Sequence, residues 1–122
     1  MKKQVYGVVS DDGKSRLELR DIEFAAVADA APGGVFNAAG LGDSAVALVT
    51  FDPGFTCEFH NTEAPTYMFI MHGEMELELS DGVTQRLRPG DIVHFSDSDG
   101  QGHKSTVIGD DEVIVATSGF AG

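Results

Sequence analysis

Histidine is the residue type in this sequence that is best suited to chemistry near neutral pH. An imidazole exchanges a proton in that range and also binds metal ions, so the residue type alone does not separate the two roles. Two histidines, His60 and His103, lie at or near the ends of a stretch of strand patterns and turn signals, residues 54–103. This placement makes them the main candidates, whereas His72 is predicted to lie on the surface.

Nucleophilic catalysis has little support elsewhere in the sequence. There is no G-x-S-x-G elbow and no phosphate-binding glycine loop followed by lysine. The one cysteine, Cys57, cannot form an internal disulfide, and one thiol is too few for a multi-cysteine zinc site. We interpret Cys57 as a small buried apolar residue, with a reactive thiol as the alternative.

The charge distribution limits the classes of partner. The chain has 122 residues and a formal net charge of −12, with no lysine or arginine from Asp21 to Gln85. Nucleic acid is not an expected partner, because a phosphate backbone needs a basic footprint. No apolar run approaches the roughly 20 residues of a membrane helix, and the first residues do not resemble a secretory signal. A cytoplasmic protein with no membrane partner is therefore expected.

The elements that position the histidines are predicted to be short β-strands joined by tight turns. About ten strands at this spacing are typical of an all-β sandwich or barrel. The predicted strands cover residues 5–9, 16–20, 45–51, 55–60, 66–72, 74–80, 83–88, 92–95, 103–108 and 112–118. In the clearest one, glutamates alternate with Met75, Leu77 and Leu79, the period of a half-buried strand. Residues 24–42 are interpreted as an irregular arm, with a short helix over 24–31 as the alternative.

Three motifs, in this order along the chain, resemble those of the cupins. They are Gly54-x5-His60 with Gly73 after it, the turn Pro89-Gly90-Asp91, and Gly100-x2-His103. The resemblance implies an all-β, cupin-type double-stranded antiparallel β-helix, the jelly-roll barrel. It also implies a single domain over residues 1–122, with N-terminal strands and an arm at 1–44 and a cupin core at 45–118.

Two of the usual cupin metal ligands are replaced in this sequence. The departures from the two motifs are Thr62, Thr66, Ser98 and Val107. Thr62 and Thr66 stand at ligand positions, and a neutral hydroxyl supplies no charge. His60 and His103 keep their ligand positions, so the resemblance implies one divalent ion there, of zinc, iron, nickel or copper.

A third ligand or catalytic carboxylate would have to come from the same neighbourhood, because two imidazoles are fewer than a metal centre normally has. Glu58 lies two residues before His60 and on a regular strand shares its face. Glu63, in the following turn, is the other candidate. Cys57 would then face the opposite side of the strand. We therefore assign the carboxylate to Glu58.

The resemblance also places both histidines in a barrel cavity that binds a small molecule. Thr62 and Thr66 can hydrogen-bond a substrate or a water molecule. Met68 and Ile70 share the face of Thr66 on a strand, which predicts an apolar cavity floor. His94 is a further candidate for the pocket, with a packed structural histidine as the alternative.

Three functions fit these residues. The first is an enzyme in which His60 and His103 move a proton on a small organic molecule, as in an isomerase, cyclase, dehydratase or decarboxylase. The second is a metal-dependent, dioxygenase-like cupin that uses both histidines and Glu58. The third is a non-catalytic small-molecule or metal-binding module. The resemblance implies a homodimer in each case.

Overall fold

A computed structural model describes residues 2–23, 25–31, 34–38, 46–62 and 64–118. Within these ranges the chain forms eleven β-strands and no helix, which confirms the predicted all-β class. The strands are β1 Lys2–Asp11, β2 Lys14–Glu23, β3 Ala25–Ala31, β4 Gly34–Ala38, β5 Val46–Phe51, β6 Thr66–His72, β7 Glu74–Leu79, β8 Thr84–Leu87, β9 Ile92–Ser96, β10 His103–Ile108 and β11 Val113–Ser118. No helix that could span a membrane occurs in these ranges.

Two of the sheets form the body of the fold, and the core lies between them. The larger sheet has six strands in the order β2-β1-β9-β6-β11-β5, and the smaller has three in the order β10-β7-β8. Neighbouring strands in both sheets are antiparallel, except that β1 runs parallel to β9. In β7, Met75, Leu77 and Leu79 are at most 1% exposed, as their alternation with glutamates predicted. They pack against Val93 and Val115 of the larger sheet.

Within the region predicted to be an irregular arm, the described residues form two paired β-strands, so for these residues both the loop and the helix interpretations are wrong. Strands β3 and β4 pair antiparallel as a separate two-stranded sheet, with Ala25 opposite Ala38 and Ala26 opposite Asn37. Ladder pairing gives the backbone amides and carbonyls the partners that a helix would otherwise supply. Alanine has a high helix propensity, and the cross-strand pairing overrides it here. Residues 24, 32–33 and 39–45 lie outside the described ranges.

The predicted continuous strand at residues 55–60 is also wrong. This segment meets β10 at two isolated bridges, Thr56 with Thr106 and His60 with His103. The two bridges are four residues apart along the segment but only three residues apart along β10. The extra residue is a bulge, and a shift of one residue exchanges the two faces of a strand.

Candidate functional site

His60 and His103 lie side by side where the 55–60 segment crosses the start of β10. Their backbones exchange two hydrogen bonds: the N–H of His60 donates to the carbonyl of His103 at 2.9 Å, and the reverse bond is 2.8 Å long. Their ring centroids are 4.7 Å apart, with the ring planes inclined at 55°. Two residues forty-three positions apart in the sequence therefore present their imidazoles at one place.

Gly102 makes this close crossing possible. Its φ of +82° lies in the left-handed region, and a Cβ added to it would lie 1.9 Å from the carbonyl oxygen of His60. Any side chain here would push the two histidine-bearing segments apart. The glycine before His103 therefore serves the site by the close backbone approach that it allows.

His103 is buried and held by a carboxylate. It is 4% exposed, and its ring stacks on Phe95 with centroids 4.4 Å apart. The Nδ1 of His103 lies 2.7 Å from Oδ2 of Asp97, which is fully buried. The hydroxyl of Ser15, also fully buried, donates to the same Oδ2 at 2.6 Å.

The surroundings of Asp97 keep it ionised. Burial raises the pKa of its carboxyl, but the hydrogen bonds from His103 and Ser15 and the charge of His103 lower it by more in total. The pKa of Asp97 therefore lies below its ordinary value. An ionised carboxylate only accepts hydrogen bonds, so Nδ1 of His103 carries a proton and Nε2 is the nitrogen left for other chemistry.

His60 is more accessible than His103. Its Nδ1 lies 3.0 Å from the backbone carbonyl oxygen of Glu58 and 3.8 Å from Sγ of Cys57. Because a carbonyl oxygen only accepts, this contact also places the proton on Nδ1 and leaves Nε2 as the second free nitrogen. Both imidazoles therefore have one nitrogen engaged by the protein and one available.

A cavity of about 330 Å³ opens beside the two rings. It has an apolar part, made by side chains of β5, β6, β9 and the 55–60 segment, and a polar part around the histidines. Its lining residues are Val49, Phe51, Phe55, Cys57, His60, Asn61, Thr62, Thr66, Met68, Phe95, His103, Ser105 and Thr117. The volume and the mostly apolar lining are those of a small-molecule pocket.

A profile of the cupin domain family matches residues 47–118, and this span holds both histidines and the whole cavity lining. The chain belongs to the cupin domain family. The resemblance inferred from the motifs is thereby confirmed, and so is the jelly-roll fold.

Several solved structures share this cupin fold. A cupin 2 conserved barrel domain protein from Salinispora arenicola is 20% identical with a TM-score of 0.51, and the match covers 60% of this cupin and 59% of that chain. The Drosophila melanogaster CENP-C cupin domain is 16% identical with a TM-score of 0.51, over 78% and 74% of the two chains. DMSP lyase DddQ from Ruegeria pomeroyi is 27% identical with a TM-score of 0.51, over 78% of this cupin and 45% of that chain. A comparison with curated protein sequences found no match.

The cupin cavity gathers five of the eight residues predicted for the site. His60, His103, Thr62, Thr66 and Met68 line it. The structure places the other three elsewhere, each for a different reason.

Glu58, the predicted carboxylate, is exposed and is not among the lining residues. The bulge in the 55–60 segment turns Cys57 toward the cavity with His60. The prediction that Glu58 shares the face of His60, and that Cys57 lies on the opposite face, assumed a regular strand and is corrected by this geometry.

Ile70 and His94 also lie outside the lining. Ile70 is 3% exposed and belongs to the packed core farther along β6. His94 lies between buried Val93 and Phe95 on β9, so it points to the other face of the larger sheet. There it stacks on Tyr67, with ring centroids 4.2 Å apart, and its Nδ1 contacts the guanidinium of Arg20.

His94 and His72 lie in different electrostatic surroundings. Burial, and secondarily the charge of Arg20, lower the pKa of His94 below its ordinary value, so this ring stays neutral at neutral pH. His72 is exposed, as predicted, and its Nε2 lies 2.7 Å from Asp111. His94 is thus a packed structural histidine, and His72 lies at the surface.

The metal expected from the cupin resemblance finds too few ligands in the described part of the chain. Those residues contain no group of three or more His, Cys, Asp and Glu that could hold an ion. His60 and His103 supply two nitrogens, Glu58 is outside the cavity, and Glu63 lies outside the described ranges. A catalytic zinc site normally uses three protein ligands, so the described donor set does not fit a resident metal.

Asp97 and Ser15 are the functional residues that sequence reasoning missed. Asp97 opens the Asp-x-x-Gly-x-Gly-His segment that ends at His103, so its place in the glycine-rich segment just before the histidine was a usable signal. Ser15 had no comparable signal, because it comes from the N-terminal hairpin and reaches Asp97 only through the fold.

Proposed function

We propose that this cupin binds a small, mostly apolar organic molecule in its cavity and transfers a proton on it with His60 and His103. The observation that carries the proposal is the pair of imidazoles beside an apolar cavity, one of them held through Nδ1 by a buried carboxylate. This arrangement orients a neutral imidazole and stabilises the imidazolium that forms when it accepts a proton.

The two histidines take different roles in this proposal. Nε2 of His103 removes a proton from carbon, the C–H electron pair moves into a new double bond, and Asp97 stabilises the positive charge on the ring. His60, which is more accessible, acts in its imidazolium form and gives its Nε2 proton away. In an elimination the bond between carbon and the leaving group breaks and the leaving group takes this proton. In an isomerisation the electron pair of the original double bond shifts and takes the proton at its far carbon. Elimination and isomerisation both fit this sequence of steps, and a DMSP lyase among the similar structures supports the elimination.

In this reaction His103 is the base and His60 is the acid. Removing either imidazole should lower the rate about 10²- to 10⁴-fold, the usual contribution of one general acid or base. The matched control is His72→Gln, since His72 is exposed and lies outside the cavity lining.

The test follows deuterium exchange at carbon by NMR, with the protein in D2O and a panel of small ketones and carboxylic acids as probes. We expect wild type and His72→Gln to exchange at least one probe, and His103→Gln and His60→Gln to exchange it far more slowly. Equal rates in all four proteins would refute the assignment. Saturable probe binding without any exchange would favour the non-catalytic module instead.

Elemental analysis of the purified protein separates this proposal from the metal-dependent, dioxygenase-like alternative. A stoichiometric amount of zinc, iron, nickel or copper that is lost in His60→Gln would support the alternative. The proposal expects a substoichiometric metal content and full exchange activity after treatment with a chelator.

We also propose that the protein forms a homodimer through the outer face of the six-stranded sheet. Strand β5 is the last strand of that sheet, and its Val46 and Leu48 are each 71% exposed. Met71 on β6 is 56% exposed. Exposed apolar side chains on one face of a sheet are typical of interaction surfaces, and the resemblance to cupins suggests a second copy as the partner.

A further inference from the structure

A chain of hydrogen bonds connects the N-terminal hairpin to the ring of His103. Ser15 lies on β2, and its hydroxyl donates to Oδ2 of Asp97 at 2.6 Å. The same oxygen accepts the Nδ1 proton of His103 at 2.7 Å. The backbone N–H of Ser15 donates to the hydroxyl of Ser80 at 2.8 Å. Ser15 is thus fixed on one side by the turn after β7 and fixes Asp97 on the other.

The Asp97 carboxylate depends on few donors. Its other oxygen, Oδ1, is buried and has no hydrogen-bond partner in the part of the chain that the structure describes. Ser15 and His103 are therefore the two side chains there that orient the carboxylate, both through Oδ2. Rotation about χ2 of aspartate is soft, so loss of the Ser15 hydroxyl leaves its plane poorly defined.

The hairpin that carries Ser15 is docked firmly on the loop before His103. The N–H of Gln101 donates to the carbonyl of Gly13 at 2.8 Å. A Cβ on Gly100 would lie 2.3 Å from the carbonyl oxygen of Gly13. These contacts hold Ser15 at a constant position relative to Asp97.

We infer that Ser15 is a positioning residue that acts through Asp97 to keep His103 protonated on Nδ1, with Nε2 directed at the cavity. The inference rests on the proposed acid–base function and deepens it. It assigns to the β1–β2 hairpin, which lies outside the span matched by the cupin profile, a share in arranging the reactive nitrogen.

Three variants separate positioning from general stability. Ser15→Ala removes the hydroxyl, and Ser15→Thr keeps a hydroxyl as the conservative replacement. Ser10→Ala is the matched control, since it makes the same change at a more accessible position of the same hairpin. The Ser10 hydroxyl hydrogen-bonds the backbone carbonyl and N–H of Asp99 and not the Asp97 carboxylate, and its removal leaves the bond between Gln101 and Gly13 in place.

The first measurement is the nitrogen-15 NMR spectrum of the His103 ring, which reports the tautomer without any substrate. Wild type, Ser10→Ala and Ser15→Thr should each show one predominant tautomer, protonated on Nδ1. Ser15→Ala should show a mixture of tautomers. An unchanged spectrum in Ser15→Ala, or an equal change in Ser10→Ala, would overturn the inference. If Ser15→Ala does not fold, the inference stands or falls on whether Ser15→Thr keeps the wild-type tautomer while Ser15→Val, which lacks a hydroxyl, loses it.

The second measurement is the exchange rate with a probe that the wild type turns over. Misplacing a catalytic group by about 1 Å can cost on the order of 100-fold, so Ser15→Ala should lose about 10- to 100-fold in kcat with little change in KM. A rise in KM with an unchanged kcat would contradict a positioning role for Ser15. If His103→Gln proves fully active while the Ser15→Ala spectrum still changes, the proposed function fails and the positioning of the ring holds.

Discussion

His94 shows how one residue in this cupin responds to burial without a favourable partner for its charged form. Burial and the charge of Arg20 lower its pKa, so the folded protein resists a proton that the unfolded chain accepts near its ordinary value of about 6.5. The stabilisation is therefore complete above that value and decreases as the pH falls through the window below it.

We expect the free energy of unfolding to fall more steeply in wild type than in His94→Phe between about pH 8 and about pH 5.5. Phenylalanine keeps an aromatic ring against Tyr67 and has no group that titrates. Asp97 does not interfere, because its lowered pKa keeps it ionised over this range. Urea denaturation at several pH values measures the difference, and parallel curves for the two proteins would contradict the assignment.

Glycine substitutions test the crossing of the two histidine-bearing segments. Gly102 and Gly90 both have a positive φ, of 82° and 96°, but a Cβ at Gly90 meets nothing within 4 Å. Gly90→Ala should cost about 1–2 kcal/mol, the conformational strain alone. Gly102→Ala should cost more than about 4 kcal/mol, because the backbone of His60 must also move. Equal losses of unfolding free energy in urea denaturation would show that the backbone at the crossing adjusts to the added Cβ at little cost.

At the scale of elements, β7 is the strand in which pattern and structure agree most fully. Its alternation of glutamate with Met75, Leu77 and Leu79 predicted both the strand and its buried face. With a side-chain period of two, only one orientation of the strand places all three apolar side chains in the core. The 55–60 segment shows where such reasoning fails. A bulge depends on how the partner strand pairs, and a local sequence pattern does not show this pairing. In the 55–60 segment the bulge turns Cys57, and not Glu58, toward the cavity.

Truncation within β7 should be costly only on its inner face. Leu77 is fully buried, and Leu77→Ala should destabilise the protein by about 2–5 kcal/mol through lost burial and the cavity left behind. Glu76→Gln, at the neighbouring outward position, should change stability by less than about 1 kcal/mol. Thermal and urea unfolding of the two variants provide the comparison. Similar losses would mean that β7 packs on both faces.

The N-terminal region was the least predictable element. Alanine and glycine carry little periodic signal, so the residues of β3 and β4 gave no reason to prefer the paired strands that the structure shows. The histidine pair, in contrast, was predictable because its glycine and histidine spacings follow the cupin motifs. The buried partners Asp97 and Ser15 come from two further elements, and only the assembled fold brings them to His103.

The proposed dimer can be tested on the exposed face of β5. Leu48→Lys places a charge on the outer face of the six-stranded sheet and should convert a dimer to a monomer in sedimentation experiments. The side chain is 71% exposed, so the fold itself should tolerate the change. Val83→Lys is the control, because Val83 is 47% exposed next to the smaller sheet. A monomeric wild type, or a dimer that persists in Leu48→Lys, would exclude this interface.

The docking of the β1–β2 hairpin has a practical consequence for anyone trimming or recombining this protein. A fragment that starts at residue 47, where the family profile begins, would retain both imidazoles and all the residues around the ligand space. It would discard Ser15 and two of the six strands of the larger sheet, and it would open Asp97 to water. Grafting the segment matched by the family profile onto another scaffold would therefore transfer the two imidazoles without the residues that orient His103.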